Sequence, residues 1–223
     1  MQRRLVIATG PLLLLRPAWA FSLTEGDAAV GIRTALERGA NAAVALLGRQ
    51  DGFLGNPLVK IELPGYLKDA ARLLRATGQG ARLDELVTSM NRAAEAAVPA
   101  AKPLLVKAVK DMSVEDGLQI LRGGDDSVTT FFAGKTREPL VQQFLPIVTR
   151  ATERVSLADK YNAVAGKAAS FGLMRGEDAN IQQYVTARAL DGLYRIIGEE
   201  EKKIRRDPVG TGSAILKKVF GGL

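Results

Sequence analysis

The chain has 223 residues, a formal net charge of +7, and neither histidine nor cysteine. Those absences remove the commonest general base, the usual nucleophile–base pairs, disulfides and the ligands of most zinc, copper and haem sites. No metal and no cofactor is therefore expected. A single tryptophan, seven Phe and four Tyr leave few aromatic platforms for stacking sugars or bases, and no nucleic-acid partner is expected.

Residues 1–20 read as an export signal. Arg3 and Arg4 give a charged start, and Leu5 to Leu15 form an apolar run broken by Gly10 and Pro11. Ala18-Trp19-Ala20 is a small-x-small cleavage site, so Phe21 would begin the mature chain. The run is about half the length needed to span a bilayer, and no transmembrane helix is expected in the mature chain. The paired arginines allow either the general secretion or the twin-arginine route, and a periplasmic address follows from both. Removing Arg3, Arg4 and Arg16 leaves 28 basic residues against 24 acidic, an ordinary balance for a soluble protein.

Residues 21–223 predict one all-α domain of several proline-bent helices, with at most a short extended segment near 58–63. Ser22-x-x-Glu25 is a capping box opening a helix from about Thr24 to Leu47. Arg49 to Pro57 is turn chemistry. Leu58 to Leu63 alternates apolar and polar, as a strand or brace would. Pro64 opens a helix through Thr77, and another covers about Ala81 to Val98. Pro99 and Pro103 kink or restart it, with a continuation to Met112. Ser113-x-x-Asp116 caps a short helix stopped by Gly123-Gly124. Asp125, Asp126 or Ser127 caps the next, and Pro139 restarts a helix to about Val155, bent at Pro146. Leu157 to Phe171 is an Ala-rich helix. Glu177 to Arg206 is the longest helical pattern, broken by Asp207-Pro208. A last short helix spans Ala214 to Phe220.

Several stretches together resemble an uncharacterised bacterial family, domain of unknown function 4197: Gly48 to Pro57 (GRQDGFLGNP), Ser89 to Pro99 (SMNRAAEAAVP), Gly123 to Asp126 (GGDD), Lys135-Thr136, Phe144 to Pro146 (FLP) and Asp207 to Gly221 (DPVGTGSAILKKVFG). The resemblance implies a helical fold and an export signal. It implies no activity and carries over no site residues.

Five places bear on function, the first four with two readings each. Asp51 and Asn56, in the loop after the first helix, are candidate ligands; the alternative is a structural turn pinned by Phe53 and Leu54, with its glycines at positive φ. Asp125 and Asp126 are candidate ligand-binding carboxylates, or merely caps between two helices. Gly210 to Ser213 with Lys217 and Lys218 resembles an anion site at a helix start, or a capped turn. Lys202, Lys203, Arg205, Arg206, Lys217 and Lys218 could rest the C-terminal region on an anionic membrane, unless the last helix docks on its own core. Glu95, in an apolar run, is open to three readings: a buried acid, a solvent-facing group or a partner of Arg92. The expected function is a non-enzymatic exported protein that binds an envelope protein or small ligand. The alternatives are a histidine-free, carboxylate-dependent hydrolase and a peripheral membrane-surface protein.

Overall fold

The computed structural model describes residues 24–65, 71–72, 75–78, 80–124, 126–153, 158–159, 161–162 and 180–220. Helix α1 (Glu25–Leu47) starts one cap later than Ser22 would place it. Thr24 is the N-cap: its Oγ1 accepts the Asp27 N–H at 3.1 Å, and Asp27 Oδ2 accepts the Thr24 N–H at 3.3 Å. Ser22 lies outside the described residues. The buried face runs through Ala28, Ile32, Ala35, Leu36, Ala40, Ala43 and Leu47, at helical three- and four-residue spacing. Much of it is alanine and glycine, which lets neighbouring backbones approach closely.

Helix α2 (Gly80–Ala97) passes through a 3-10 turn (Val98–Ala101) into α3 (Lys102–Lys110). Pro99 and Pro103 therefore restart the chain, each in a first turn where its missing N–H costs little. Helix α4 (Val114–Arg122) carries the expected Ser113/Asp116 capping box and ends at Gly123. Of the helix expected over 64–77, residues 71–72 and 75–76 are helical and 66–70 and 73–74 lie outside the described residues. Most of the one expected over 157–171 also lies outside them.

Helix α5 (Ser127–Thr152) corrects one expectation: it runs unbroken through Pro139 and Pro146. Both prolines face solvent, as do Lys135 and Gln142, whose carbonyls lose their amide partners. Water can satisfy those carbonyls, so each proline removes a bond without burying an orphan. The inner face holds the helix together. Val128, Phe132, Thr136, Leu140, Phe144, Val148 and Thr152 are all buried, every fourth residue. A four-residue repeat drifts about 40° per step around an α-helix. The stripe therefore winds, and α5 meets α2, α3 and α4 along its length.

Helix α6 (Ile181–Arg206) begins four residues after the expected Glu177, because Asn180 caps it by accepting the N–H groups of Gln182 and Gln183 at 2.8 and 3.2 Å. It packs on both α1 and α5, and most of its inner face is fully buried. Helix α7 (Ala214–Phe220) closes the fold against α1. A Cβ at Gly31 would lie 2.5 Å from Val219 Cγ2, so only glycine admits that contact. All these helices contribute to one continuous apolar core.

The 58–63 segment is a brace rather than a sheet strand: no strand occurs among the described residues. Val59 and Ile61 point inward while Lys60 and Glu62 are exposed. Its main chain is held by side chains: Asn91 at Ile61, Tyr184 Oη on the Glu62 carbonyl at 2.8 Å, and Arg195 Nη1 on the Leu58 carbonyl at 3.0 Å.

Candidate functional site

Asp51 and Asn56 are both engaged, Asp51 by Arg92 of α2 and Asn56 within the loop itself. Glu95, on α2 and 5 % exposed, reaches under that loop. Its Oε1 accepts the N–H groups of Phe53 and Leu54 at 3.0 and 3.1 Å. Its Oε2 accepts Arg92 Nη1 at 2.7 Å, and Arg92 Nη2 reaches Asp51 Oδ1 at 2.7 Å. Bonds from Glu95 and then Asp51 raise the Arg92 guanidinium further above its ordinary value. Asn56 Oδ1 accepts the Leu58 N–H at 3.1 Å, closing a side-chain turn. Asp51, and neither Gly52 nor Gly55, takes the positive φ (64°). Gly52 is needed for room, since a Cβ there would lie 2.5 Å from the Leu46 carbonyl oxygen. This corrects the expectation that the loop's glycines supply left-handed backbone.

The C-terminal cations are mostly paired along their own helix. Lys203 meets Glu200 at 2.6 Å, Lys202 meets Glu199 at 3.5 Å, and Arg205 meets the buried Glu201 at 2.7 Å. Lys218 crosses to Asp27 at 2.7 Å and, with Thr24, holds that carboxyl below its usual range. Arg206 and Lys217 are exposed. The Gly210 to Ser213 turn is filled from within: Asp207 Oδ1 accepts the Gly210 N–H at 2.8 Å, and Thr211 Oγ1 accepts the Ser213 N–H at 3.3 Å. Leu216 and Val219 of α7 are buried in the core.

Asp126 is placed differently. It stands at the N-cap position of α5, yet its side chain makes no capping bond. Asp125 lies outside the described residues. Asp126 instead lines a cleft of about 580 Å³ where α4, the Gly124 turn and the first turns of α5 meet. Asp116, Gln119 and Ile120 come from α4; Ser127, Thr130, Phe131 and Lys135 come from α5. Ser127, Phe131 and Lys135 share one helix face at four-residue spacing. Two of the resembling stretches meet here. Lys135-Thr136 splits between the cleft and the core, for Thr136 turns inward to bond Tyr194 Oη at 2.9 Å.

What distinguishes this cleft is which of its groups are unengaged. Asp116 is committed to the Ser113 cap, whose backbone and hydroxyl bonds, with lesser help from Lys135, hold its carboxyl below the usual range. Ser127 Oγ donates to the Ile120 carbonyl at 3.2 Å. Among the described residues, no hydrogen bond or ion pair engages the Asp126 carboxylate, the Thr130 hydroxyl or the Lys135 ammonium. A second cleft, of about 370 Å³ between the brace and α6, is self-satisfied by comparison. There Arg188 pairs with Asp191 at 3.2 Å, Lys60 with Glu62 at 3.1 Å, and Arg195 is held by Leu58. Among the described residues, no group of three acidic side chains is arranged to hold a metal ion.

The sequence pointed to Asp126 but missed Thr130 and Lys135 as its companions. Their shared helix face was readable. The turn-back at Gly123-Gly124, which lays α4 beside that face, is a tertiary fact.

Fold and site together define an all-α protein with an open, mixed-charge cleft. The family model described as Protein of unknown function (DUF4197) matches residues 22–221, and the chain belongs to that family. No curated protein and no solved structure matches the chain.

Proposed function

We propose that the protein is an exported, non-enzymatic binding protein whose polar ligand sits in the cleft between α4 and α5. One observation carries this reading: Asp126, Thr130 and Lys135 line a single concavity with no hydrogen bond or ion pair to their side chains among the described residues, over an apolar floor of Ile120 and Phe131. Unengaged polar groups around a concave apolar surface are the usual composition of a ligand site. The hydrolase alternative fits less well. Both oxygens of Glu95, the acid the sequence offered, are engaged by the loop and Arg92, and Asp116 is tied into the Ser113 cap. The membrane alternative loses its apolar face, because Leu216 and Val219 are buried in the core. Among the described residues, no helix is long and apolar enough to cross a membrane.

Native mass spectrometry of the chain purified from its own envelope fraction tests the proposal. A non-covalent mass that leaves on denaturation is expected. A bare chain from both envelope and cytosolic fractions would count against it.

A further inference from the structure

We propose that Asp51-Gly52 is the place where the folded chain ages by aspartate isomerisation, and that Arg92 is the guard that sets its rate. The observations behind this are independent of the cleft between α4 and α5.

The chemistry needs only water. The Gly52 nitrogen bonds to Asp51 Cγ, and its proton and the carboxyl hydroxyl leave as water. Water then reopens the cyclic imide at either carbonyl. One opening restores aspartate; the other routes the main chain through the side-chain carboxyl as isoaspartate. Glycine after aspartate obstructs the closure least, since it has no Cβ beside the attacking nitrogen. The sequence holds three such pairs, Asp51-Gly52, Asp116-Gly117 and Asp191-Gly192. The second and third lie within α4 and α6, where the helix fixes the peptide unit. Only Asp51-Gly52 lies in a loop.

Local packing leaves no safer pair. A Cβ at residue 52 would lie 2.5 Å from the Leu46 carbonyl oxygen and 2.6 Å from that of Leu47. Residue 51 takes φ 64°, which Gly, Asn and Asp tolerate best. Glycine there would lose the bond to Arg92, and asparagine closes the same imide more readily. The structure then restrains the reaction at three points. The Gly52 N–H donates to the Arg49 carbonyl at 3.0 Å, and the Asp51 carbonyl accepts the Gly55 N–H at 3.1 Å. The peptide unit that must turn toward Cγ is thus held at both ends. Arg92 Nη2 meets Asp51 Oδ1 at 2.7 Å, and the buried Glu95 anchors the same guanidinium at 2.7 Å. Of the three restraints, the ion pair alone acts on the carboxyl that reacts. Isoaspartate would add one main-chain atom ahead of Phe53, which is fully buried and donates its N–H to Glu95.

The test ages the full chain at mildly acidic pH, well below its Tm. Peptide mapping with electron-transfer fragmentation follows isoaspartate, which has the same mass as aspartate. Chain unfolded in urea gives the unrestrained rate at all three pairs. In the folded parent, Asp51 should isomerise fastest of the three. Arg92→Met should speed the reaction about twofold to fivefold at Asp51 and leave Asp116 and Asp191 at the parent rate. Arg92→Lys offers one ammonium for two carboxylates and should fall between; it answers the question if the Met variant does not fold. Gly31→Ala, strained against Val219 and away from the loop, should isomerise at the parent rate. Equal rates at Asp51 in the parent and the folded Arg92 variants would overturn the guard, as would an equal rise in Gly31→Ala. No excess at Asp51 over the two helical pairs in the folded parent would overturn the site.

Discussion

Asn91 binds both main-chain groups of Ile61. Its Oδ1 accepts the Ile61 N–H at 2.8 Å and its Nδ2 donates to the Ile61 carbonyl at 2.9 Å. One buried amide thus supplies what a neighbouring strand would, and the brace over 58–63 needs no sheet. Replacing Asn91 by Ala would strand a buried donor and acceptor. We expect a loss of about 2–3 kcal/mol in urea unfolding. Asn91→Asp, which can accept but not donate, should also destabilise at neutral pH.

Glu95 is the second pin of the same loop. Glu95→Ala would leave the N–H groups of Phe53 and Leu54 without their acceptor and free the Arg92 guanidinium. A loss of about 3 kcal/mol is expected, with Glu95→Gln losing less because its amide oxygen still accepts. Denaturant curves of the two variants side by side check the order. If Glu95 were a catalytic acid rather than a clamp, both variants would fold as the parent does.

The last helix belongs to the core. Gly31→Ala sets a methyl group within 2.5 Å of Val219, and overpacking of this kind costs about 1–3 kcal/mol. Deleting residues 211–223 removes the buried Leu216 and Val219 and the Lys218 bond to Asp27. Both changes should lower Tm and speed proteolysis of α1. An unchanged Tm on truncation would show that α7 contributes nothing to the core and would revive the membrane-surface alternative.

Acid sensitivity follows from Asp27 and Asp116. Both carboxyls lie below the ordinary aspartate range in the folded chain, Asp27 through Lys218 and Thr24, Asp116 chiefly through Ser113. A depressed folded pKa contributes stability that is present above the unfolded value, about 3.9, and is lost as pH falls through the folded value. With no histidine to titrate, Tm should stay level from about pH 7 to 5 and decline below about 4. A fall beginning near pH 6 would point to a different ionisable group.

Most of the helical order was legible in the sequence because caps and periodicity are local. Ser113-x-x-Asp116, the Gly123 stop and the Asp207-Pro208 break all lie where turn chemistry puts them. The errors came where tertiary packing overrode local signals. Pro139 reads as a restart, but the winding buried stripe from Val128 to Thr152 carries α5 through it. The cap of α1 went to Thr24, where Asp27 also meets Lys218, a partner 191 residues away. At the cleft, Asp126 was visible as an acid beside a helix start. That its carboxylate stays uncommitted while Asp116, ten residues earlier, is locked in a cap could be read only from the fold.

The most direct measurement compares two chains taken from the same envelope fraction by native mass spectrometry, Lys135→Met and Lys110→Met. Each loses one exposed lysine, but only Lys135 lines the cleft. The account predicts a dissociable bound mass on Lys110→Met, as on the parent chain, and its loss from Lys135→Met. The same bound mass on both variants would contradict the assignment of this cleft.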